Sequence, residues 1–551
     1  MPGPRENAHV HAPLTRWRGG SRTIPANAGQ RIDRRTFIAR GALAGGALVL
    51  GSAAPSVAAS KRIRPEKLLR EGAFRHGVAA GAPGQRSITL WTRVSDVERS
   101  GRVELEIARQ ADFRRVVARK QVRVAAVRDF TARTVVEGRA LLPGEEYFYR
   151  FSTRAGSSPV GRIRTGRPPD WREPLRIGFF SCQDYQSGFY TAHAGLAQED
   201  LDLVVCLGDY IYERGFFKGP AGRRDTTGVN GDADVQTLPE YRAKHALYRA
   251  DENLQAMHAS AAFASVFDDH EVEDNWAGDL PGNATPPAER RVSFRERRRA
   301  GTLAYFEWMP RFRLPADPSR IYGSIALGAN AELLLLDTRQ YRDDQPCNDS
   351  FLLPPCIDGE NRSATLLGSA QKMWLKDALA KSPARWKVVA NQVMIMALDA
   401  LPGIPSALNP DSWDGYGRER RELLDHVRRS GTQDVTFITG DIHTFFAGDV
   451  HVNGRFATQR VATEFVGGSI TSSGLEQFVD AQGLTEPGVR ALNPHLRYAE
   501  LRSRGYGVLE ARPDELTVTF RSPASIAAPT SSIRTLARFR VAAGQPRVLR
   551  G

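Results

Sequence analysis

The sequence predicts an α/β protein in which two sheets pack as an α/β sandwich, preceded by a small all-β sandwich. Three observations carry that prediction. Residues 70–167 read as short alternating strands between turns. From residue 173 to 545, strands alternate with helical segments. Five apolar runs in this second part each end in a side chain with metal-ligand chemistry, and ligands of open α/β sheets bind outside the carboxyl ends of strands.

At 551 residues the chain exceeds one ordinary core, so two folded domains and an N-terminal extension are expected. The formal charge is +14, and residues 1–59 hold eight Arg against Glu6 and Asp33, leaving about +8 for the rest. That excess suits phosphate-bearing substrates or anionic surfaces. No DNA or RNA motif accompanies it, so nucleic acid is not expected as a primary partner.

Residues 1–59 read as an address. Asp33-Arg34-Arg35-Thr36-Phe37-Ile38 precedes the weakly apolar stretch Gly41 to Leu50 and the small residues Val57-Ala58-Ala59. A basic region, a short apolar core and small residues before a cut describe a secretory signal, and the paired arginines resemble the twin-arginine type. The apolar core is too short and glycine-rich to span a bilayer permanently. Cleavage near Ala59 then gives a protein exported by the twin-arginine machinery: secreted, periplasmic or wall-associated, and a monomer.

Five strands are predicted in residues 70–167: S-I-T-L-W-T-R-V, R-V-E-L-E-I-A-R, K-Q-V-R-V-A-A-V, T-A-R-T-V-V-E-G and E-Y-F-Y-R-F-S-T. The turn and tyrosine pair around Tyr147 and Tyr149 resemble those of fibronectin type III modules. After Pro168-Pro169 the texture changes. Thr237-Leu-Pro-Glu240 is a capping box opening a helix toward Ala259, followed by a strand at Ala264–Phe267. Gln371 begins an amphipathic helix leading to a strand at Trp386–Ala390. Past Asp441, four β-rich runs are expected to complete a second sheet against the first. Arg291, Arg295, Arg297, Arg298 and Arg299 read as a solvated helix face.

The five ligand-bearing strand ends are L-R-I-G-F-F-S-C (Cys182), L-V-V-C-L-G-D-Y-I-Y (Asp209, Tyr212), A-S-V-F-D-D-H-E (Asp269, His270), W-K-V-V-A-N (Asn391) and T-F-I-T-G-D-I-H (Asp441, His443). Any one of them alone reads as a core residue, a helix cap or a turn. Together they read as a two-metal site. Cys182, Tyr212 and His443 are the softer donors and suit a ferric or zinc-like ion; Asp269, Asn391 and Asp441 are oxygen donors that suit calcium or magnesium, with Asp209 placed to bridge.

These segments resemble the metallophosphoesterase superfamily, and within it the alkaline phosphatase D (PhoD-like) family. The superfamily's usual Asp-x-His, Gly-Asn-His-Glu and Gly-His-x-His are here Ser181-Cys182-Gln183, Asp268-Asp269-His270-Glu271 and Gly440-Asp441-Ile442-His443. The resemblance implies a sandwich of metallophosphoesterase type and an exported phosphoesterase. It implies iron(III) on Cys182, Asp209, Tyr212 and His443, and calcium on Asp209, Asp269, Asn391 and Asp441. A further calcium with unassigned ligands and other divalent cations are compatible with it. His270 is the candidate catalytic residue, as general acid or phosphate contact. Substrates are small-molecule, lipid or polymer phosphate esters, with phospholipase D-like cleavage as the alternative chemistry.

Of the four cysteines, Cys347 and Cys356 flank a Pro-rich loop and read as a local disulfide formed after export, while Cys206 lies inside a strand as a core residue. Two readings from other classes fit less well. A serine hydrolase at Gly467-Gly468-Ser469 lacks the second flanking glycine of a nucleophile elbow, and a non-catalytic extracellular binding protein leaves the five ligand-bearing strand ends without cause. The export reading predicts that replacing Arg34 and Arg35 with Lys strands the precursor in the cytoplasm. Fractionation that recovers the double variant outside the membrane at normal yield overturns it.

Overall fold

Three sheets form from the predicted β-branched runs. The computed structural model describes residues 67–551 except 217–218, 220–222, 284, 350–362, 400–408, 455–457, 477–479, 481–482 and 484, all within one compact unit, Pro65–Gly551. The predicted signal, 1–59, lies outside the described residues. The strands are β1 (Val78–Gly81), β2 (Ser87–Arg93), β3 (Gly101–Ala108), β4 (Val116–Val124), β5 (Thr131–Glu137), β6 (Glu146–Ser152), β7 (Gly161–Arg164), β8 (Leu175–Phe180), β9 (Leu203–Cys206), β10 (Ala262–Ser265), β11 (Gly323–Ala326), β12 (Ala331–Leu335), β13 (Trp386–Asn391), β14 (Val435–Thr439), β15 (Phe445–His451), β16 (Arg460–Gly467), β17 (Leu496–Glu500), β18 (Tyr506–Ala511), β19 (Glu515–Pro523), β20 (Ile533–Ala542) and β21 (Leu549–Arg550). The first sheet runs β21-β20-β19-β18-β8-β9-β10-β1-β2-β5, the second β11-β12-β13-β14-β16-β15-β17 and the third β4-β3-β6-β7.

Parallel neighbours define the functional end. β8, β9 and β10 run parallel in the first sheet, and β12, β13 and β14 run parallel in the second. Their carboxyl ends carry the predicted ligands. Helices α1 (Thr191–Gln198), α2 (Leu238–Arg249), α3 (Glu252–Ser260), α4 (Phe294–Trp308), α5 (Gly368–Lys381), α6 (Gly417–Arg429) and α7 (Glu486–Leu492) connect them. None of the described helices is long and apolar enough to cross a membrane.

The period of two along each strand divides the side chains of the second sheet between two cores. Val388, Ala390, Ile438, Ala447 and Phe465 join the core shared with the first sheet. Their alternates Val389, Phe437, Phe446 and Val466 join another core with Leu375 and Leu379 of α5 and Leu423 and Val427 of α6. Between the sheets the fit depends on one ring. Phe179 of β8 pairs with Gly507 of β18; a Cβ on Gly507 would lie 2.1 Å from Phe179 Cζ, and one on Gly467 of β16 2.9 Å from its Cε2. Two glycines, one from each sheet, make room for it.

Several expectations need correction. The N-terminal strands do not close on themselves: β1 pairs with β10 in parallel, Ala80 opposite Ala262, so β1, β2 and β5 extend the first sheet across the Pro168-Pro169 change of texture. The C-terminal strands divide, β15 to β17 joining the second sheet and β18 to β21 the first. The helix opened by the Thr237 capping box stops at Arg249, because Asp251 caps a new helix by accepting from the backbone N–H of Asn253 and Leu254. Arg297 is no solvated residue. It is buried, its Nε donating to Tyr241 Oη at 3.1 Å and its Nη1 to Thr285 Oγ1 at 2.9 Å, while Arg295 and Arg299 are exposed as expected. The Tyr147 hydroxyl bonds back to Leu142 N at 2.8 Å and Ala140 O at 3.3 Å. Cys347 is disulfide-bonded, Cys182 and Cys206 are free, and Cys356 lies outside the described residues.

Gly507→Ala should lower stability by roughly 1–3 kcal/mol through overpacking against Phe179, read as a shift in the urea unfolding midpoint. An unchanged midpoint contradicts the close fit of this ring over Gly507.

Candidate metal centre

Three of the ligand-bearing strands, β8, β9 and β14, lead into turns with left-handed backbone. Cys182, Asp209, Asp441 and His443 have φ of 58, 56, 64 and 55°. Non-glycine residues in this region cost roughly 1–2 kcal/mol each, so other contacts hold them there. Glu271 is the main one. Its carboxylate accepts from the backbone N–H of Asp209, Tyr210 and Asp268 at 3.1, 2.7 and 2.9 Å, tying the β9 and β10 loops together. Gly208 between them has φ +112°, and a Cβ there would meet Asp268 Cβ at 2.4 Å.

The turns bring the predicted residues together in three overlapping groups. Ligand atoms of Cys182, Asp209 and His443 lie within 4.8 Å of one another, as do those of Asp209, Asp269 and His270, and those of Asp268, Asp269 and Asp441. Tyr212 completes the first group, its Oη 3.2 Å from Asp209 Oδ2 and 3.1 Å from His443 Nε2. Ser472 Oγ donates to the same hydroxyl at 2.7 Å. His443 Nδ1 lies 2.6 Å from the Ser473 carbonyl; a carbonyl only accepts, so Nδ1 carries the proton and Nε2 keeps its lone pair for a ligand role.

Asn391 is buried at the end of β13, where its amide donates to Val393 O at 2.5 Å and its Oδ1 accepts from Trp413 Nε1 at 3.3 Å. Asp209, Asp269, His270, Asp441 and His443 line a cavity of about 370 Å3 together with the apolar side chains of Phe216, Ile442 and Leu475. His270 stacks on Tyr212 at 4.1 Å between ring centroids. Its Nδ1 is 2.8 Å from Glu213 Oε2. Ser469, the rival nucleophile, is buried and donates to Ser472 O.

Charge explains the residues that sequence reasoning missed. Arg339, fully buried, donates to Asp268 Oδ1 through Nε at 2.5 Å and to both Asp411 oxygens at 2.7 and 2.6 Å. Its Nη2 also lies 3.6 Å from Asp269 and 3.9 Å from Asp441. Arg342 adds a second cation, 3.0 Å from Asp411. Arg339 stands three residues past the run Leu333 to Leu336, which leaves β12 into Asp337, so this is a sixth strand end legible by the same pattern, with Asp337 engaged by Gln340 and Arg339 serving the carboxylates. Glu213 and Asp411 have no local signal.

Two arginines do not balance this many acids. Burial pushes Asp209 and Asp441 well above the ordinary carboxylate range, with Asp269 and Asp268 adding to both. Burial likewise raises Asp268 to about 7. Asp269 is held below its ordinary value because Arg339 and His270 outweigh its burial. Burial raises the Cys182 thiol and the Tyr212 hydroxyl, and lowers His443 to about 4. For His270 the burial effect is reversed by Asp269, Asp209 and Glu213, which raise it well above 6.5.

Asp209 Oδ1, Asp268 Oδ2 and Asp269 Oδ1 are buried with no hydrogen-bond partner. Such atoms are costly unless something positive meets them. Three unsatisfied carboxylate oxygens beside a thiol, a phenol and a neutral imidazole therefore form a donor set that fits metal cations.

The model of the PhoD-like phosphatase family matches residues 177–520, and that of the PhoD-like phosphatase N-terminal domain matches 58–167. The chain is 35% identical to alkaline phosphatase D of Bacillus subtilis (strain 168) over 526 residues, covering 92% of this chain and 87% of that one. It superposes on the solved structure of PhoD with a TM-score of 0.76 at 32% identity, covering 87% of this chain and 92% of the other. Purple acid phosphatase PPD1 from yellow lupin (Lupinus luteus) seeds shares the fold alone, with a TM-score of 0.52 at 12% identity over 87% of this chain and 75% of that one. Matched by the family from 177 to 520 and by a relative along nearly its full length, the chain belongs to the PhoD-like phosphatase family and is a metal-dependent hydrolase of phosphate esters.

Proposed function

We propose that this phosphoesterase works outside the cytoplasm, after twin-arginine export, with iron(III) held by Cys182, Asp209, Tyr212 and His443 and calcium held by Asp209, Asp269, Asn391 and Asp441. The observation that carries the reading is Asp209: it belongs both to the thiol-containing group and to the group with Asp269 and His270, and its Oδ1 is buried without a hydrogen-bond partner. Asp269 in turn belongs to the all-carboxylate group with Asp268 and Asp441, so thiol, imidazole and phenol donors surround one end of this chain of groups and carboxylates the other, which supports unlike ions. For Asn391 the reading requires Oδ1 to exchange its long hydrogen bond from Trp413 for the cation. The cations, when bound, supply positive charge beside the phosphoryl oxygens of the substrate.

The chain's own residues do the rest. Glu213 fixes His270 through Nδ1, and the stacked Tyr212 ring sets the imidazole plane, so Nε2 is the nitrogen left for the cavity. From there His270 donates a proton to the leaving oxygen or a hydrogen bond to the phosphate. Phe216, Ile442 and Leu475 add apolar lining to the cavity, against which the organic part of an ester can rest. The Tyr147 hydroxyl, bonded back to the turn before its own strand, supports a fibronectin III-like origin for the N-terminal strands.

His270→Ala should retain both metals while lowering kcat on the order of 10²–10⁴-fold; loss of metal in this variant overturns the assigned role. Asp209→Ala should lose both ions, and Asp441→Ala mainly calcium. Elemental analysis decides between them: an Asp441 variant that loses iron and keeps calcium sinks the assignment. Tyr212→Phe should shift the visible absorption of the iron-loaded protein, and an unchanged spectrum removes the phenolate from the ligand set. Chelation of both metals should abolish hydrolysis.

A further inference from the structure

The two large sheets are not of equal width. Beyond β10 the first sheet continues through β1, β2 and β5, whereas the second ends at β11. The segment after α4 crosses the uncovered strip and leaves a cavity of about 480 Å3 beneath it. Val135 and Phe263 line it from the first sheet, Ile325 and Leu335 from the second, and Phe312 and Leu314 from the crossing segment. No residue of the carboxylate site lines it. Phe312 and Leu314 remain 41% and 46% exposed, among the few large apolar side chains so placed.

Arg311 and Arg320 line this apolar cleft, Arg133 stacks on its Phe312 and Arg313 stands between Phe312 and Leu314 in the chain; no salt bridge joins any of the four to a carboxylate among the described residues. Arg311 donates to the carbonyls of Ser265 and Ile321 at 2.7 and 2.8 Å. Arg320 lies over the Tyr322 ring at 3.9 Å and donates its Nε to Tyr322 O. Arg133 bonds only the carbonyls of Phe306 and Met309 and stacks on Phe312 at 4.7 Å, while its buried Nε has no partner. Arg313 is exposed, 5.0 Å from the Phe306 ring. The nearest competing acids are engaged: Glu307 by Arg242 through two bonds of 2.7 Å, and Asp317 by Ser319. Four guanidinium groups thus stand beside open apolar surface with no salt bridge to a carboxylate among the described residues.

A cation rim over an apolar cleft is complementary to an anion carrying a hydrocarbon chain. We propose that this cleft binds the acyl chain of an anionic phospholipid, with the head-group phosphate held by Arg313 and Arg320. The site is separate from the carboxylate cavity, so it anchors or presents the protein to lipid and does not depend on which ester is cleaved or on which metals are bound.

The test uses the purified protein with lysophosphatidylglycerol below its micelle concentration, followed by titration calorimetry. Wild-type protein should bind it at least about tenfold more tightly than lysophosphatidylcholine, and affinity should rise roughly fourfold per added methylene until the cleft is filled. Ile325→Trp, which fills the cleft, and the double change Arg313→Ala with Arg320→Ala should each weaken binding by about tenfold or more. Both variants should hydrolyse p-nitrophenyl phosphate at the wild-type rate, which shows that they are folded. Equal binding of the glycerophosphoglycerol head group alone, equal affinity for the two lysolipids, or binding untouched by Ile325→Trp overturns the proposal. So does a dimer that Phe312→Asp dissolves in a protein that binds no lysolipid, since a second copy then covers the face.

Discussion

The fold is organised around an excess of buried negative charge. Asp209, Asp268, Asp269, Asp411 and Asp441 converge from different loops, all but Asp441 almost wholly buried, with Arg339 as the cation they share. Like charges this close repel strongly at low dielectric, and the raised values of Asp209 and Asp441 express their burial first and that repulsion second. Arg339 meets all of these carboxylates but Asp209, and one oxygen each of Asp209, Asp268 and Asp269 still has no hydrogen-bond partner. The protein therefore holds an arrangement that is completed by added cations. Such a site is stable only if the scaffold does not relax when the charge is unbalanced.

That rigidity is supplied from the backbone outward. Four of the ligand-bearing residues sit in left-handed conformations, which a floppy loop would abandon. Glu271 clamps three N–H groups of two neighbouring loops. Glu464 does the same service on the other sheet, accepting from Ile395 N, Met396 N and Thr439 Oγ1 at 2.9, 2.7 and 2.6 Å, so the loop after Asn391 is tied to the strand before Asp441. Burial raises Glu464 to about 7. Carboxylates thus appear in two roles within the same molecule: some hold loops, and others face the cavity.

The sandwich itself follows from a simpler rule. Period-two alternation along β13, β14 and β16 sends successive residues to different cores, and the Phe179 ring seated against Gly507 and Gly467 sets how closely the sheets approach. The unequal sheet widths are a consequence of letting β1, β2 and β5 join the first sheet, which leaves an edge for the segment after α4 to cover. One topological choice thus shapes both the core and the arginine-rimmed cleft.

The sequence by itself determined the mixed α/β character of the fold, though not a separate all-β sandwich before it, and nearly all of the candidate ligands, because an apolar β-branched run followed by Asp, Cys or His is a local pattern that needs no partner to be read. It also marked the Thr237 capping box, which formed as expected. Tertiary structure alone decided what depends on neighbours distant in the chain. Asp411 and Glu213 are ordinary acids in sequence and become parts of the site only when Arg339 and His270 are brought against them. Arg297 looked solvated by its run of like residues, yet the packing of α2 on α4 buries it against Tyr241. The union of β1 with β10 was illegible for the same reason: strand pairing is made by backbone N–H and C=O groups, which every residue but proline carries alike, so the side-chain pattern reveals that a strand exists and not which strand it joins.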